Sequence, residues 1–300
     1  MKRCLLTGAS GFLGGYIYKT LSNTYEVVSL GRSNADVVAD LSNQVPELQG
    51  TFDLVVHSAG LAHTVPATPE EEKAFFDVNL EGTRRLCVAL EKSGFAGHFV
   101  FISTVAVYGC EQGEDIAESH PKNGKTPYAL SKIQAEELLE EKAASHGFRL
   151  TTLRLPLIVG KNAPGNLQSM SQGIASGRYA SIAGGKARKS MVLAQDVATL
   201  IGQEHLATGV YNLTDQKNPS FRQLEGIFSA HYGKSVPRNV PLFMAKLLGI
   251  AGDILGKRFP INSNTVKKIT SNLTFNDDNA VKHLNWNPNS VVDKASEWLN

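Results

Sequence analysis

Thr7-Gly8-Ala9-Ser10-Gly11-Phe12-Leu13-Gly14 follows the apolar pair Leu5-Leu6 and opens a stretch of helical character that runs to Asn23. Its glycines are spaced G-x-x-G-x-x-G. Gly8 suits a tight turn, Gly11 lets a pyrophosphate approach the backbone, and Gly14 allows a helix to lie close on a strand. A helix that starts here offers free N–H groups and the positive end of its dipole to phosphate. Glycines also occur in purely structural turns. The place of these, directly after a first strand and at the head of a helix, is the context that marks a dinucleotide-binding loop.

Outward from this loop, strands are expected over residues 2–7, 26–30, 36–39, 53–57, 98–102 and 149–155. The 53–57 run, Asp-Leu-Val-Val-His, is apolar enough to be buried on both faces. Helices are expected over 12–23, 70–93 and 126–146, the last with Pro127 in its first turn and Gly147 as its stop. Alternating strands and helices specify a parallel sheet with right-handed crossovers, the doubly wound Rossmann arrangement of an α/β protein. After Gly160 the pattern loosens. Residues 161–185, rich in Gly, Ser and Asn, read as loop and short helix, 190–193 as a strand, 196–205 as a helix and 209–213 as a last core strand. From Phe221 the chain reads as mostly helical. The expected division is a dinucleotide-binding domain over 1–160, to which 186–213 returns, and a smaller, mostly helical substrate domain made of 161–185 and 214–300.

The 300-residue length suits one large and one small unit, and the charged fraction of 19% is ordinary for a soluble globular protein. A net charge of +2 points to neither nucleic acid nor an anionic membrane as partner. Cys4, Cys87 and Cys110 form no C-x-x-C motif, which fits a reducing cytosol. The apolar run near the start is too short for a signal-peptide core, and no stretch is long and apolar enough to span a bilayer, so a cytoplasmic protein is expected. The apolar segment 241–256 lacks the strongly basic face of an interfacial membrane helix and is expected to pack on the small domain.

The end of the second strand reads Leu30-Gly31-Arg32-Ser33. An acidic residue there would hold the ribose 2′-hydroxyl of NAD. Arg32 can instead form a bidentate pair with a 2′-phosphate, with Ser33 adding a hydrogen bond, which favours NADP over NAD unless Arg32 simply points into solvent. Tyr128 and Lys132, in Pro127-Tyr-Ala-Leu-Ser-Lys132, lie four apart on a helix and share a face. An ammonium beside a phenol stabilises the phenolate, so Tyr128 can act as a proton acceptor. Y-x-x-x-K also occurs by chance; its position after a glycine loop and a fifth strand gives it force. Thr104, at the C-terminal end of that strand, lies where α/β proteins bind ligands, with Ser103 as competitor for its role.

These motifs together resemble the extended short-chain dehydrogenase/reductase superfamily, in its branch of nucleotide-sugar epimerases, dehydratases and reductases. To the glycine loop and Y-A-L-S-K they add Asp40-Leu41, H-S-A-G at 57–60, Asn79 in V-N-L-E-G-T, S-T-V-A-V-Y-G at 103–109, and Ala280, Leu284, Trp286 and Pro288 near the end. The resemblance implies Thr104, Tyr128 and Lys132 as the catalytic set, with Lys132 also on the nicotinamide ribose. It implies Asn79 as a structural or proton-relay member and Asp40 and Leu41 at the adenine. The cofactor contacts it implies comprise Gly8, Ser10, Gly11, Phe12, Leu13, Gly14, Arg32, Ser33, Ser58, Ala59 and Gly60. A homodimer through the helices bearing Asn79 and Tyr128 is also implied.

Departures narrow the reading. Val105 and Ala106 stand where the dehydratases carry an acidic pair, and Leu157 stands where galactose epimerases carry a phosphate-contacting Asn. L-R-L-P-L-I-V-G, G-N-L and R-K-S-M-V resemble enzymes of bacterial surface-polysaccharide synthesis, among them 4-epimerases and 4-keto-reductases. There Asn166 and Arg188 or Lys189 match the groups that hold the substrate diphosphate and base. Three functions remain open: a nucleotide-sugar 4-epimerase or 4-reductase, a non-catalytic dinucleotide-binding regulator, and a reductase of a small carbonyl compound. His57 reads as a core residue. His63 follows the same strand but has no partner at metal spacing. Cys110 has no base nearby, and the acidic runs 111–118 and Asp277-Asp278 read as solvated surface.

Arg32 generates a direct expectation: wild type binds NADP(H) more tightly than NAD(H), and Arg32→Ala removes about 1.5–3 kcal/mol of that preference. Titration of both dinucleotides against both proteins checks it, and an unchanged preference in the variant refutes it.

Overall fold

The computed structural model describes residues 1–62, 64–255 and 262–299. The first half alternates β1 (Lys2–Thr7), α1 (Phe12–Leu21), β2 (Tyr25–Gly31), β3 (Val37–Val38), β4 (Leu54–His57), α2 (Pro69–Phe76), α3 (Gly82–Lys92), β5 (His98–Thr104), β6 (Gly113–Ile116), α4 (Pro127–His146) and β7 (Arg149–Leu155). Then follow β8 (Leu157–Val159), α5 (Asn166–Ala175), β9 (Ser181–Ile182), β10 (Met191–Leu193), α6 (Ala194–Ile201), β11 (Gly209–Asn212) and α7 (Phe221–His231). The chain ends through β12 (Asn239–Val240), α8 (Leu242–Leu255), α9 (Ser263–Thr270), β13 (Leu273–Phe275), α10 (Asp278–Leu284) and α11 (Ala295–Leu299).

Seven strands form one sheet in the order β11-β7-β5-β4-β1-β2-β3, every pairing parallel. Winding runs from β1 outward through β2 and β3, then restarts at β4 on the other side. The crevice at the C-terminal ends of β1 and β4 is therefore the switch point where such sheets bind ligands. β4 and β5 are buried along their whole length, as strands covered on both faces must be. One face packs Leu6, Val56, Val100 and Leu153 under α1 and α6. The other packs Leu5, Val55, Phe99 and Phe101 under α3 and α4.

Helix boundaries follow local chemistry. At α4 the Thr126 hydroxyl accepts from the Ala129 N–H, Pro127 takes the first turn, and the helix stops at Gly147, whose φ of 73° lies in the left-handed region. The single helix expected over 70–93 is interrupted by a π-helical turn, Asp77–Glu81, between α2 and α3. Such insertions re-aim a side chain and cluster at functional sites; here the side chain is that of Asn79.

Three expectations change. The acidic run 111–118 is not plain surface, because β6 pairs with β13 and Glu118 accepts from the Asn212 N–H (2.8 Å) and from Asn279 Nδ2 (3.0 Å). Its backbone groups needed partners, and a strand more than 150 residues later in the chain supplies them. Asp277 is buried and accepts from the Thr214 hydroxyl at 2.9 Å, while Asp278 stays exposed. Segment 241–256 is helical as far as it is described, but only Ala245, Gly249 and Gly252 of α8 are buried; its large apolar residues face outward. Among the described residues no helix is long and apolar enough to cross a membrane.

Arg154 on β7 and Glu136 on α4 form a buried pair at 2.7 Å. Glu136 also accepts from Ser103 Oγ (2.5 Å), and Arg154 donates to the Tyr108 hydroxyl (3.1 Å). Breaking such a pair strands a buried charge. Arg154→Met is expected to cost about 3–5 kcal/mol, and the double variant Arg154→Met/Glu136→Leu to recover much of that loss. Urea unfolding of the three proteins checks this; a double variant as unstable as the single refutes it.

Candidate active site

The glycine loop closes tightly over the end of β1. Gly8 has a φ of +75°, and a Cβ there would lie 2.7 Å from the Ala59 nitrogen. A Cβ at Gly14 would collide with the Gly8 carbonyl, so α1 can approach β1 only without one. Gly11 has extended backbone and no side-chain cap, and it leaves the first N–H groups of α1 directed at the loop. Ser10 and Gly11 are exposed there, whereas the Leu13 side chain belongs to the core and Phe12 packs edge-on to Tyr16. This glycine-lined cradle at the switch point fits a dinucleotide pyrophosphate.

Arg32 and Ser33 are exposed beyond β2. Asp40 receives the Ser42 N–H at 2.9 Å. A hydrogen bond with the Ser42 side chain first, then this backbone bond, and behind them the charges of Arg32 and Arg85, hold its carboxyl below the usual range. Leu41 is buried, and its carbonyl accepts from Arg85 Nη1 at 2.9 Å. Arg85 carries no motif signature, and only the structure brings it to this rim.

At the end of β4 a hydrogen-bond chain crosses the sheet. The Ala59 N–H donates to Thr7 Oγ1 (3.0 Å), which is paired with His57 Nδ1 (2.7 Å). His57 Nε2 meets Thr83 Oγ1 (2.9 Å), and Thr83 donates its own proton to the Asn79 carbonyl (2.6 Å). The direction of that last bond makes His57 Nε2 a donor and Nδ1 an acceptor, a neutral imidazole with one assigned tautomer. His57 is thus a core residue, as its strand position predicts, and it braces Ser58, Ala59 and Gly60 against Asn79. Burial first, then the Lys132 ammonium, push its pKa from 6.5 down to about 3.

Asn79 is buried in the π-helical turn. Its side chain accepts from the Leu61 N–H (2.7 Å) and donates to the Leu61 carbonyl (3.1 Å) and to Ser131 Oγ (3.0 Å). A Cβ at Gly60 would come 3.1 Å from Asn79 Oδ1 and 3.4 Å from Lys132 Nζ. Gly60, Asn79 and Lys132 therefore converge on one spot beside the cradle. Lys132 is buried; Nζ donates to the Ile102 carbonyl at 2.8 Å and sits 4.5 Å over the Phe101 ring. Burial lowers its pKa to about 8, with Glu136 opposing. Tyr128 is half-buried, packed against Phe75. Burial raises its hydroxyl pKa, and a side-chain hydrogen bond with Thr104 pulls the other way. The expected lowering by Lys132 is not found: burial sets the direction, and the group that opposes it is Thr104. Ser103 is committed to Glu136, which leaves Thr104 to face Tyr128.

Asn166, Arg188 and Lys189 sit on other elements than this cluster. Asn166 is the exposed first residue of α5. Arg188 is exposed but donates to the carbonyls of Lys217 and Asn218, both at 3.2 Å. Lys189 bridges to Leu273, and burial lowers its pKa. Cys110 is half-buried with Sγ 3.7 Å from His120 Nε2, and burial raises its thiol. His63 lies outside the described residues.

Comparison with known proteins agrees with this arrangement. Residues 4–212 match the NAD dependent epimerase/dehydratase family, and the chain belongs to that family, within the extended short-chain dehydrogenases/reductases. It is an enzyme of that nicotinamide-dependent type. It is 30% identical, over 90% of its length and 86% of the relative's, to the N-acetyl-alpha-D-glucosaminyl-diphospho-ditrans,octacis-undecaprenol 4-epimerase of Escherichia coli O157:H7. Its fold is shared with RMD from Pseudomonas aeruginosa complexed with NADPH (TM-score 0.72, 21% identity, 99% and 98% of the two chains covered). It is shared too with the Thermus thermophilus UDP-glucose 4-epimerase complexed with NAD (TM-score 0.73, 22% identity, 99% and 97% covered).

The neutral His57 carries a pH signature. Above pH 6.5 it is neutral in both the folded and the unfolded chain; below, only the unfolded chain takes up the proton. Stability is therefore lost as pH falls through and below 6.5, at a limiting slope of about 1.4 kcal/mol per pH unit. His57→Asn is expected to flatten the dependence in urea unfolding between neutral pH and about pH 5. Parallel curves for wild type and variant contradict this.

Proposed function

We propose that the enzyme works at C4 of a sugar carried on a diphosphate, of the UDP-hexose or UDP-N-acetylhexosamine type, as a 4-epimerase. The observation that carries this is the hydrogen-bonded Thr104–Tyr128 pair at the mouth of β5, with Lys132 held beside Gly60 next to the glycine cradle. Thr104 positions the C4 oxygen. Tyr128 removes its proton and later returns one. Lys132, fixed by the Ile102 carbonyl, holds the ribose next to the nicotinamide and keeps a positive charge near the phenol. When bound, the nicotinamide dinucleotide supplies the hydride acceptor and donor. Gly8, Ser10 and Gly11 with the backbone of Phe12 and Leu13 would hold its phosphates, and Gly14 lets α1 lie close enough for that. Asp40 and Leu41 would border the adenine, and Ser58, Ala59, Gly60 and Asn79 would line the wall.

Arg32 and Ser33 favour NADP over NAD. The second unit, residues 161–185 and 214–300, receives the substrate, with Asn166, Arg188 and Lys189 facing the diphosphate and base. The name of the Escherichia coli relative, a 4-epimerase of a diphosphate-linked N-acetylglucosaminyl group, supports both C4 and the diphosphate. The enzyme serves surface-polysaccharide synthesis in the cytoplasm, as a homodimer. One observation favours a second reading: the exposed Arg32 and Ser33 beyond β2 suit NADP, hence net reduction of a 4-keto sugar.

Two reactions separate the readings. UDP-N-acetylglucosamine with catalytic cofactor is expected to interconvert with its C4 epimer by NMR, without net cofactor use. Stoichiometric NADPH oxidation by a UDP-4-keto-6-deoxy sugar would make the enzyme a reductase. Silence in both would leave a dinucleotide-binding regulator. Tyr128→Phe is expected to lower turnover at least ~100-fold with little change in cofactor affinity. An active Tyr128→Phe enzyme overturns the assignment.

A further inference from the structure

Helix α8 is built inside out. The face that meets the protein carries its small residues, Ala245, Gly249 and Gly252, and a Cβ at Gly249 would lie 3.1 Å from the Ser263 backbone, so α8 rests closely on the start of α9. The large apolar residues point away: Phe243 is 65% exposed, Leu247 63%, Ile254 80% and Leu255 60%, with Leu242, Met244, Leu248 and Ile250 also exposed. A helix apolar on nearly all sides belongs in a core or a membrane. A contiguous exposed patch of this kind marks a docking surface.

Its border is cationic. A groove between α8 and α9 is lined by Ile250 and Val266 together with Lys246 and Lys267. Among the described residues neither lysine has an ion-pair partner. Two acids lie nearby: Asp253 accepts from the Ser263 N–H at 3.2 Å, and Glu111 pairs with Lys268 at 3.0 Å and lies within electrostatic reach of Lys267. A second copy of the chain would bring the same two lysines to a two-fold interface, with the exposed Asp253 as the one carboxylate of α8 to answer them. An anionic phospholipid surface offers what the patch lacks, acyl chains for the apolar ridge and phosphates for the two ammonium groups.

We propose that the α8–α9 hairpin docks the enzyme on the surface of an anionic phospholipid bilayer, with Phe243, Leu247 and Ile254 seated among the acyl chains and Lys246 and Lys267 on headgroup phosphates. The α8 helix lies in the interface and does not span it. Segment 241–256 has no basic face of its own, which is why its sequence points to the small domain; half of the charge comes from the neighbouring helix. The proposal is independent of the catalytic reading, so failure of either leaves the other standing.

The test is flotation of the full chain with vesicles of phosphatidylglycerol plus phosphatidylcholine, and of phosphatidylcholine alone. Wild type is expected to float with the anionic vesicles, less so as salt rises. Phe243→Ser/Leu247→Ser is expected to lose at least ~tenfold in vesicle affinity while keeping the wild-type unfolding midpoint, since it replaces only exposed side chains. Lys246→Gln/Lys267→Gln is expected to lose the preference for anionic over neutral vesicles. Wild type left in the aqueous phase, or an apolar double variant that floats equally well, overturns the proposal. So does a lysine variant that keeps the anionic preference. A wild-type dimer that ignores vesicles and falls apart in the apolar variant would assign the face to a second copy.

Discussion

Helix α4 is pinned to the C-terminal edge of the sheet by one of its own faces. Tyr128, Lys132 and Glu136 recur every four residues and so project together. Lys132 holds the Ile102 carbonyl, and Glu136 receives both Ser103 and Arg154. Ser103 and Arg154 are direct partners across the β5–β7 ladder, so one carboxylate ties the helix to two strands at once. Two desolvated charges are a costly way to pin a helix when apolar contact would serve. The gain is geometric: a charged fork accepts few orientations, and the phenol two turns away inherits the alignment.

The opposite wall of the site is held by neutral groups. Gly8 and Gly14 let α1 and the end of β4 crowd onto β1, and the bonds from Ala59 through Thr7, His57 and Thr83 reach the carbonyl of Asn79 without a formal charge. The π-helical turn then aims the Asn79 amide at Ser131 on α4, joining this wall to the pinned helix. The cradle and the first turns of α4, which carry Tyr128, are thus joined by hydrogen bonds. Helix α8 stands at the other extreme, with its small residues inward and its large apolar residues left to whatever lies outside the chain.

Much of this was legible from local chemistry. The parallel α/β alternation, the limits of α4 from Pro127 and Gly147 and the burial of β4 follow from periodicity and turn residues, while Asn79 and Gly60 were pointed to by the family resemblance alone. Three things were not. The pairing of β6 with β13 joins segments more than 150 residues apart, and neither carries a periodic signature long enough to announce a strand. The role of Glu118 and the burial of Asp277 depend on that pairing. Asn166, Arg188 and Lys189 carry the right chemistry, but the residues around them do not fix where they point, and Arg188 commits its guanidinium to two loop carbonyls.

The sequence by itself determined which residues could do chemistry and the limits of well-capped elements such as α1 and α4, because caps, glycines and side-chain period act over a few residues. Only the tertiary structure decided which of two adjacent hydroxyls meets Tyr128. Ser103 and Thr104 are chemically alike neighbours, and the choice falls to Glu136, a residue on another element that takes Ser103 for itself. Only the tertiary structure, likewise, decided that burial outweighs the Thr104 hydrogen bond at Tyr128, and that the apolar side of α8 turns away from the protein. Solvent exclusion and charge neutralisation depend on everything that packs around a group, and no short window of sequence contains that.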